Sequence, residues 1–314
     1  MEHEIQTLSL VKNFGDVTAV DKLNINVRKN SIYGLLGPDG AGKTTTMRML
    51  CSLLKPDSGT GKIGGLDIVK DSEELKKHIG YMPQKFSLYG DLTVIENLEF
   101  YSEIYQVPKL ESKERIKFLL EFSSLLNHSY KLADQLSGGM KQKLALSCNL
   151  IHTPKYLFLD EPTIGVDPVA RRELWKILFD LREQGVTIFV STPYMDEAER
   201  CDEIGLMYNG SIIKNDRPDN IIRDFGKHIL CIVSDDSYAA REAALGTASA
   251  KDVYLLGEEL HVVSDNMEIT KNILEESLKN LNLEYTINEI TPTLEDVFVN
   301  IVKSRSEMTY GKRN

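Results

Sequence analysis

The sequence predicts an α/β fold on a parallel sheet, followed by a smaller α+β domain. Short apolar strands lead through marked turns into helices at Ser31 to Leu50, Lys155 to Pro168 and Val186 to Arg200, the rhythm of a parallel sheet with crossover helices. Beyond about Asn220 the order becomes β-α-β-β-α-β. A chain of 314 residues has room for one large domain and one small one.

A net charge of −10 disfavours attraction to nucleic acid or to an anionic lipid surface. No nucleic-acid partner is expected, and any membrane role must use a specific protein partner. The longest apolar run, Ile229 to Val233, falls far short of the roughly 20 residues of a spanning helix. MEHEIQTLSL lacks the regions of a secretory signal, which places the protein in the cytosol. Cys51, Cys148, Cys201 and Cys231 show no paired short spacing, which argues for buried thiols over a zinc site or a redox pair.

SIYGLLGPDGAGKTTTMRML reads as strand, glycine-rich turn and a helix opening at Lys43. Gly37, Gly42, Lys43 and Thr44 satisfy G-x-x-x-x-G-K-[ST]. Glycine lets the backbone wrap phosphates with its N–H groups inward, where a Cβ would obstruct. Lys43 would reach the β- and γ-phosphates, and the Thr44 hydroxyl would hold Mg²⁺. A chance match in a chain this long is on the order of one in a hundred.

Residues from about 85 to 135 read as helical, with Phe100, Tyr101, Phe118 and Leu119 assigned to core. LSGGMKQKLALSCNL, Leu136 to Leu150, then supplies two glycines and a second helix start suited to an anion. One nucleotide hardly needs two glycine-rich helix N-termini from one chain. The second therefore serves a nucleotide held by another subunit, which implies a dimer with shared sites.

KYLFLDEPTIGVDP is an apolar strand ending in two carboxylates. Asp160 would complete the magnesium shell, while Glu161 is placed to orient and deprotonate a water attacking the γ-phosphate. The next strand ends on Ser191, Thr192 and Pro193. Ligands of open parallel sheets bind beyond the strands' carboxyl ends, yet proline brings no donor or proton acceptor there.

In order, these motifs resemble the ATP-binding subunits of ABC transporters, over roughly Leu8 to Asn220. GPDGAGKTT looks like the Walker A loop, so the resemblance makes Gly37, Pro38, Asp39, Gly40, Ala41, Gly42, Lys43, Thr44 and Thr45 the candidate ATP contacts. Asp39 stands where the family more often has asparagine. LSGGM resembles the signature, with Ser137, Gly138 and Gly139 facing the partner's ATP, and GVDP resembles the D-loop, with Asp167 at the dimer interface. Glu161 takes the position of the catalytic glutamate. Gln84, in YMPQ, fits the loop glutamine that senses the γ-phosphate, joins Thr44 and Asp160 around the metal and contacts the membrane subunit; as a residue alone it could be a surface amide. Phe14 falls where the family stacks a ring on adenine, although an aromatic beside a strand is more often packed in a core.

The resemblance implies a P-loop NTPase: a RecA-like core with an N-terminal antiparallel β part, an inserted helical subdomain and a ferredoxin-like C-terminal module. The expected boundaries are 1–222, 223–302 and a flexible polar tail at 303–314. It also implies ATP and Mg²⁺ as cofactors, a separate membrane-spanning permease, a second ATP-binding domain and a place at the inner face of the cell membrane. The family usually has S-T-H where this chain has Ser191, Thr192 and Pro193. Loss of that histidine removes a contact to the γ-phosphate, so this half-site should bind ATP and turn it over slowly, which favours pairing with a different ATP-binding domain. The closing TPTLEDVFVNIV, Thr291 to Val302, resembles the drug-, polyketide- and lipid-exporting branch. The rival readings are a nucleotide-sensing regulatory subunit and a soluble ABC-type ATPase. The latter predicts two nucleotide domains in one chain or a basic face, neither of which appears.

Overall fold

A computed structural model describes residues 3–85, 88–247 and 250–310, with side chains described as far as residue 303. The chain divides into two compact units after Pro218, slightly before the expected boundary at 222. Proline suits a first helical position because its missing N–H is not needed there, and Pro218 opens a helix that begins the second unit.

The N-terminal strands β1 (His3–Phe14), β2 (Val17–Leu23) and β3 (Asn26–Arg28) belong to an antiparallel sheet. Strand β4 (Ile32–Leu36) and helix α1 (Lys43–Leu50) flank the phosphate loop. Next come β5 (Ser58–Ile63), β6 (Leu66–Asp67), α2 (Ser72–Lys76) and β7 (Ile79–Met82). The helical region holds α3 (Val94–Ile104), α4 (Lys109–Phe122) and α5 (Gly138–Leu150). Then follow β8 (Tyr156–Asp160), α6 (Pro168–Glu183), β9 (Thr187–Thr192), α7 (Met195–Ala198), β10 (Glu203–Tyr208) and β11 (Ser211–Asp216).

The main sheet runs β11-β10-β4-β9-β8-β7, parallel except at the β11 edge. Its central strands β4, β8 and β9 are buried at every position, which is why they read as unbroken apolar runs rather than alternating ones. The second sheet runs β2-β1-β5-β6 with β3 on β1. Ile5, Leu10, Val27 and Ile63 of that sheet share a core with Tyr33, Phe158 and Phe189 of the main sheet and with Met47 and Leu50 of α1. The apolar face of α1 therefore anchors the phosphate loop between two sheets.

Not every residue expected in the helical region's core is there. Leu119 is buried, but Phe118 is 49 % exposed and stacks on Phe122. The two rings cover each other on the helix surface at i,i+4 spacing, which a periodicity argument reads as core.

The second unit holds α8 (Pro218–Arg223), β12 (His228–Ser234), α9 (Ser237–Leu245), β13 (Ala250–Leu256), β14 (Glu259–Ser264), α10 (Met267–Asn280), β15 (Tyr285–Ile290) and α11 (Leu294–Tyr310). Its antiparallel sheet runs β13-β14-β12-β15, the expected ferredoxin-like arrangement. One sheet face packs Leu230, Ile232 and Val262 against Ala240 and Ala244 of α9 and Leu274 and Leu278 of α10. Ile229, Tyr254 and Val263 pack with Val299 of α11. Helix α11 continues to Tyr310, into the stretch expected as a flexible tail from 303. Arg305, Glu307 and Met308 are good helix formers, so polarity alone misread them; 311–314 lie outside the described residues. Among the described residues, no helix is long and apolar enough to cross a membrane.

Candidate nucleotide-binding site

Strand register assembles the site. Leu36 of β4 pairs with Thr192 of β9, and Asp160 of β8 pairs with Ser191 of β9. The carboxyl ends of three adjacent parallel strands thus converge where the phosphate loop begins, the place where such sheets bind ligands.

The loop glycines have distinct reasons. A Cβ on Gly37 would lie 2.3 Å from the Met207 carbonyl oxygen, and Gly42 has φ of 107° with the Ala19 carbonyl oxygen 2.3 Å from a Cβ. Gly37 and Gly42 are therefore fixed by close backbone approach. A Cβ on Gly40 meets nothing within 4 Å, which leaves that side of the loop open to a ligand.

Lys43 is 3 % exposed, and its ammonium has three acceptors. It donates to the Gly37 carbonyl at 2.7 Å and the Pro38 carbonyl at 3.0 Å, and it pairs with Glu161 Oε1 at 2.9 Å. Glu161 Oε2 accepts from Gln84 Nε2 at 2.8 Å. One carboxylate therefore joins the phosphate loop to the glutamine after β7. Glu161 has φ of 51°, uncommon for a residue with a Cβ. Its N–H donates to the Ser191 hydroxyl at 3.0 Å, which helps hold this turn, and that hydroxyl donates to Asp160 Oδ1 at 2.6 Å. Ser191 thus ties the two carboxylate residues together, a role sequence reasoning missed because it depends on which strand neighbours β8.

Asp160 is fully buried, and its Oδ2 has no hydrogen-bond partner among the described residues. A buried, unpaired carboxylate oxygen is costly unless it serves a cation. With half-buried Thr44 on the first turn of α1, it gives oxygen donors of the kind Mg²⁺ prefers. Pro38, Ala41 and Thr45 lie on the same loop and helix start; Asp39 is exposed, and nothing in the structure explains its carboxylate. Phe14 is 52 % exposed, with Lys12 Nζ 5.6 Å from its ring centroid. It is not a core residue.

Among the described residues, the side chains weighed as substitutes for an imidazole in the turn after β9 have other partners. Thr192 Oγ1 donates to Glu197 Oε2 at 2.7 Å and accepts from the Tyr194 N–H at 3.1 Å. The Tyr194 ring lies under the Arg171 guanidinium, 4.4 Å from its centroid. His152 stacks on Tyr105 and bonds the Ile79 carbonyl. All three are committed elsewhere.

Ser137 caps α5, its hydroxyl accepting from the Met140 N–H at 3.4 Å, and both Ser137 and Gly138 are exposed. A Cβ on Gly139 would sit 2.4 Å from Ala170 Cβ of α6, and one on Gly138 would lie 3.5 Å from the Gly165 carbonyl. The signature turn and the 165–168 loop therefore lie against each other. Asp167 caps α6 by accepting from the Val169 and Ala170 N–H groups at 3.0 Å each. Asp167→Ala should cost about 1 kcal/mol of stability, read as a lower midpoint in urea unfolding of the first unit.

The ABC transporter family profile matches residues 20–164. Linearmycin resistance ATP-binding protein LnrL of Bacillus subtilis is 33% identical over 304 residues, covering 95% of this chain and 97% of that protein. The chain belongs to the ABC transporter family. It is also 47% identical over 220 residues to the probable multidrug ABC transporter ATP-binding protein YbhF of Escherichia coli, a match covering 70% of this chain and 38% of YbhF. The chain thus spans well under half of that relative's length. Among solved structures, an ATP-binding subunit of an ABC transporter superposes with a TM-score of 0.64 at 28% identity, covering 71% of this chain and 93% of that one.

Proposed function

We propose that this chain binds and hydrolyses Mg-ATP to power export through separate membrane-spanning permease subunits at the cytoplasmic face of the membrane. The observation that carries this reading is the Lys43–Glu161–Gln84 linkage beside Asp160. Lys43 and backbone N–H groups of the phosphate loop and the first turn of α1 bind the phosphates, with Phe14 beside the adenine. Thr44 and Asp160 hold Mg²⁺, with Gln84 at its edge; the ion, when bound, neutralises phosphate charge. Because Lys43 cannot hold Glu161 and a phosphate equally, ATP draws the ammonium away and leaves Glu161 able to accept a proton from water. Ser137, Gly138 and Gly139 close on a nucleotide held by a second ATP-binding domain, with Asp167 beside that interface. The relatives named for multidrug transport and linearmycin resistance support an exporter.

A second reading, a nucleotide-sensing subunit with little turnover, is favoured by the commitments of Thr192 and Tyr194 around Pro193. ATP affinity and steady-state hydrolysis should be measured for the chain alone and with its permease and candidate partner domains. Turnover that rises on assembly supports the exporter reading. Tight binding with no turnover in any assembly selects the sensor.

A further inference from the structure

The second unit contains a side-chain cluster that the nucleotide site does not use. Cys231 of β12 and His261 of β14 are directly paired across the strands, so their side chains share a sheet face. Glu259, two residues before His261 on β14, shares that face by strand alternation. Cys231 Sγ, a Glu259 carboxylate oxygen and a His261 ring nitrogen all lie within 4.8 Å of one another.

The imidazole is oriented from behind. His261 Nδ1 lies 2.6 Å from Asp296 Oδ1, and Asp296 is fully buried. The same oxygen accepts from the Tyr254 hydroxyl at 2.9 Å. Asp296 Oδ2 accepts from the N–H and hydroxyl of Thr293 at the start of α11. This leaves His261 Nε2 facing Glu259 at 3.6 Å. His261 is 3 % exposed, and Nε2 has no hydrogen-bond partner among the described residues. A carboxylate behind one ring nitrogen with the other directed at further ligands is how proteins prepare a metal-binding histidine.

We propose that Cys231, Glu259 and His261 form a site for a zinc-like divalent transition-metal ion in the second unit, with Asp296 as the positioning residue behind His261. Thiolate, imidazole and carboxylate form a mixed donor set suited to zinc and poor for magnesium. Zinc bonds of about 2.0–2.3 Å bring tetrahedral ligand atoms to on the order of 3.5 Å apart, so rotation of the exposed Glu259 closes the set around the ion and leaves a fourth position for water. Entry is from the Glu259 side, where that side chain is 57% exposed. Burial, with Glu259 alongside, pushes the Cys231 thiol up to about 11. Metal binding therefore expels the thiol proton, and any proton on Nε2, to solvent. The bound ion would pin β12 to β14, and through Asp296 the start of α11.

The test uses the full-length, reduced protein after chelator treatment and dialysis. Cobalt(II) is titrated and followed by absorption, because a cysteine thiolate gives a sulfur-to-cobalt charge-transfer band that an oxygen site such as Thr44 and Asp160 cannot give. The expected result is a band saturating at one cobalt per chain and displaced by zinc. The band should be lost in Cys231→Ser and kept in Cys51→Ser. Asp296→Asn should weaken cobalt binding about 10- to 100-fold. No charge-transfer band in the unmodified protein, or a band unaffected by Cys231→Ser, overturns the proposal whatever the folding of the variants.

Discussion

Glu161→Gln should lower ATP turnover by about 10²- to 10⁴-fold, the usual contribution of a positioned general base, while ATP affinity holds or rises. The affinity half follows from geometry. Glu161 Oε1 pairs with Lys43 Nζ at 2.9 Å with both side chains almost wholly buried. An amide still accepts a hydrogen bond from Lys43 but no longer holds it by charge, so the lysine is freer to meet a phosphate. Glutamine is the informative replacement because truncation would leave a buried ammonium without its partner, which is strongly destabilising. Single-turnover hydrolysis and equilibrium ATP binding on the same preparation separate the two effects. A variant that turns over at the normal rate removes Glu161 from the proposed base role.

Pro193→His should raise turnover at this chain's own phosphate loop by up to about 10²-fold, by analogy with restoring one preorganised donor to a developing anion. Pro193 follows directly on Thr192, whose carbonyl lies 3.4 Å from the Gly37 N–H; the site is therefore within reach of a side chain at position 193. Neither neighbour supplies the donor, since Thr192 is held by Glu197 and Tyr194 by Arg171. Steady-state hydrolysis by the purified variant is the measurement, with ATP affinity as the control. An unchanged rate would mean that the missing imidazole does not limit this half-site.

What was legible in the sequence was what the chain writes locally. The phosphate loop, the strand leading into Asp160 and Glu161, and the glycines that open α5 each occupy one short segment whose residue types are dictated by local geometry. The turn between β13 and β14 carries Gly257 at φ of 62°, a conformation that favours glycine. Functions that arise only from strand neighbours were not legible. Ser191 bridges Asp160 and Glu161 because β9 lies beside β8. Cys231 and His261 meet because β12 lies beside β14, so thiols read by spacing alone gave no hint of a shared donor set. Phe118 was misplaced for a related reason: helical periodicity shows which residues share a face, not whether anything covers it.

The central claim is that Lys43 exchanges Glu161 for a phosphate. Its most direct test is equilibrium Mg-ATP binding by Glu161→Gln beside the double variant Lys43→Ala, Glu161→Gln, which avoids stranding a buried charge. A charge-assisted contact of about 1.5–3 kcal/mol predicts affinity about 10- to 100-fold weaker without the lysine. Equal affinity in the two proteins would contradict the account.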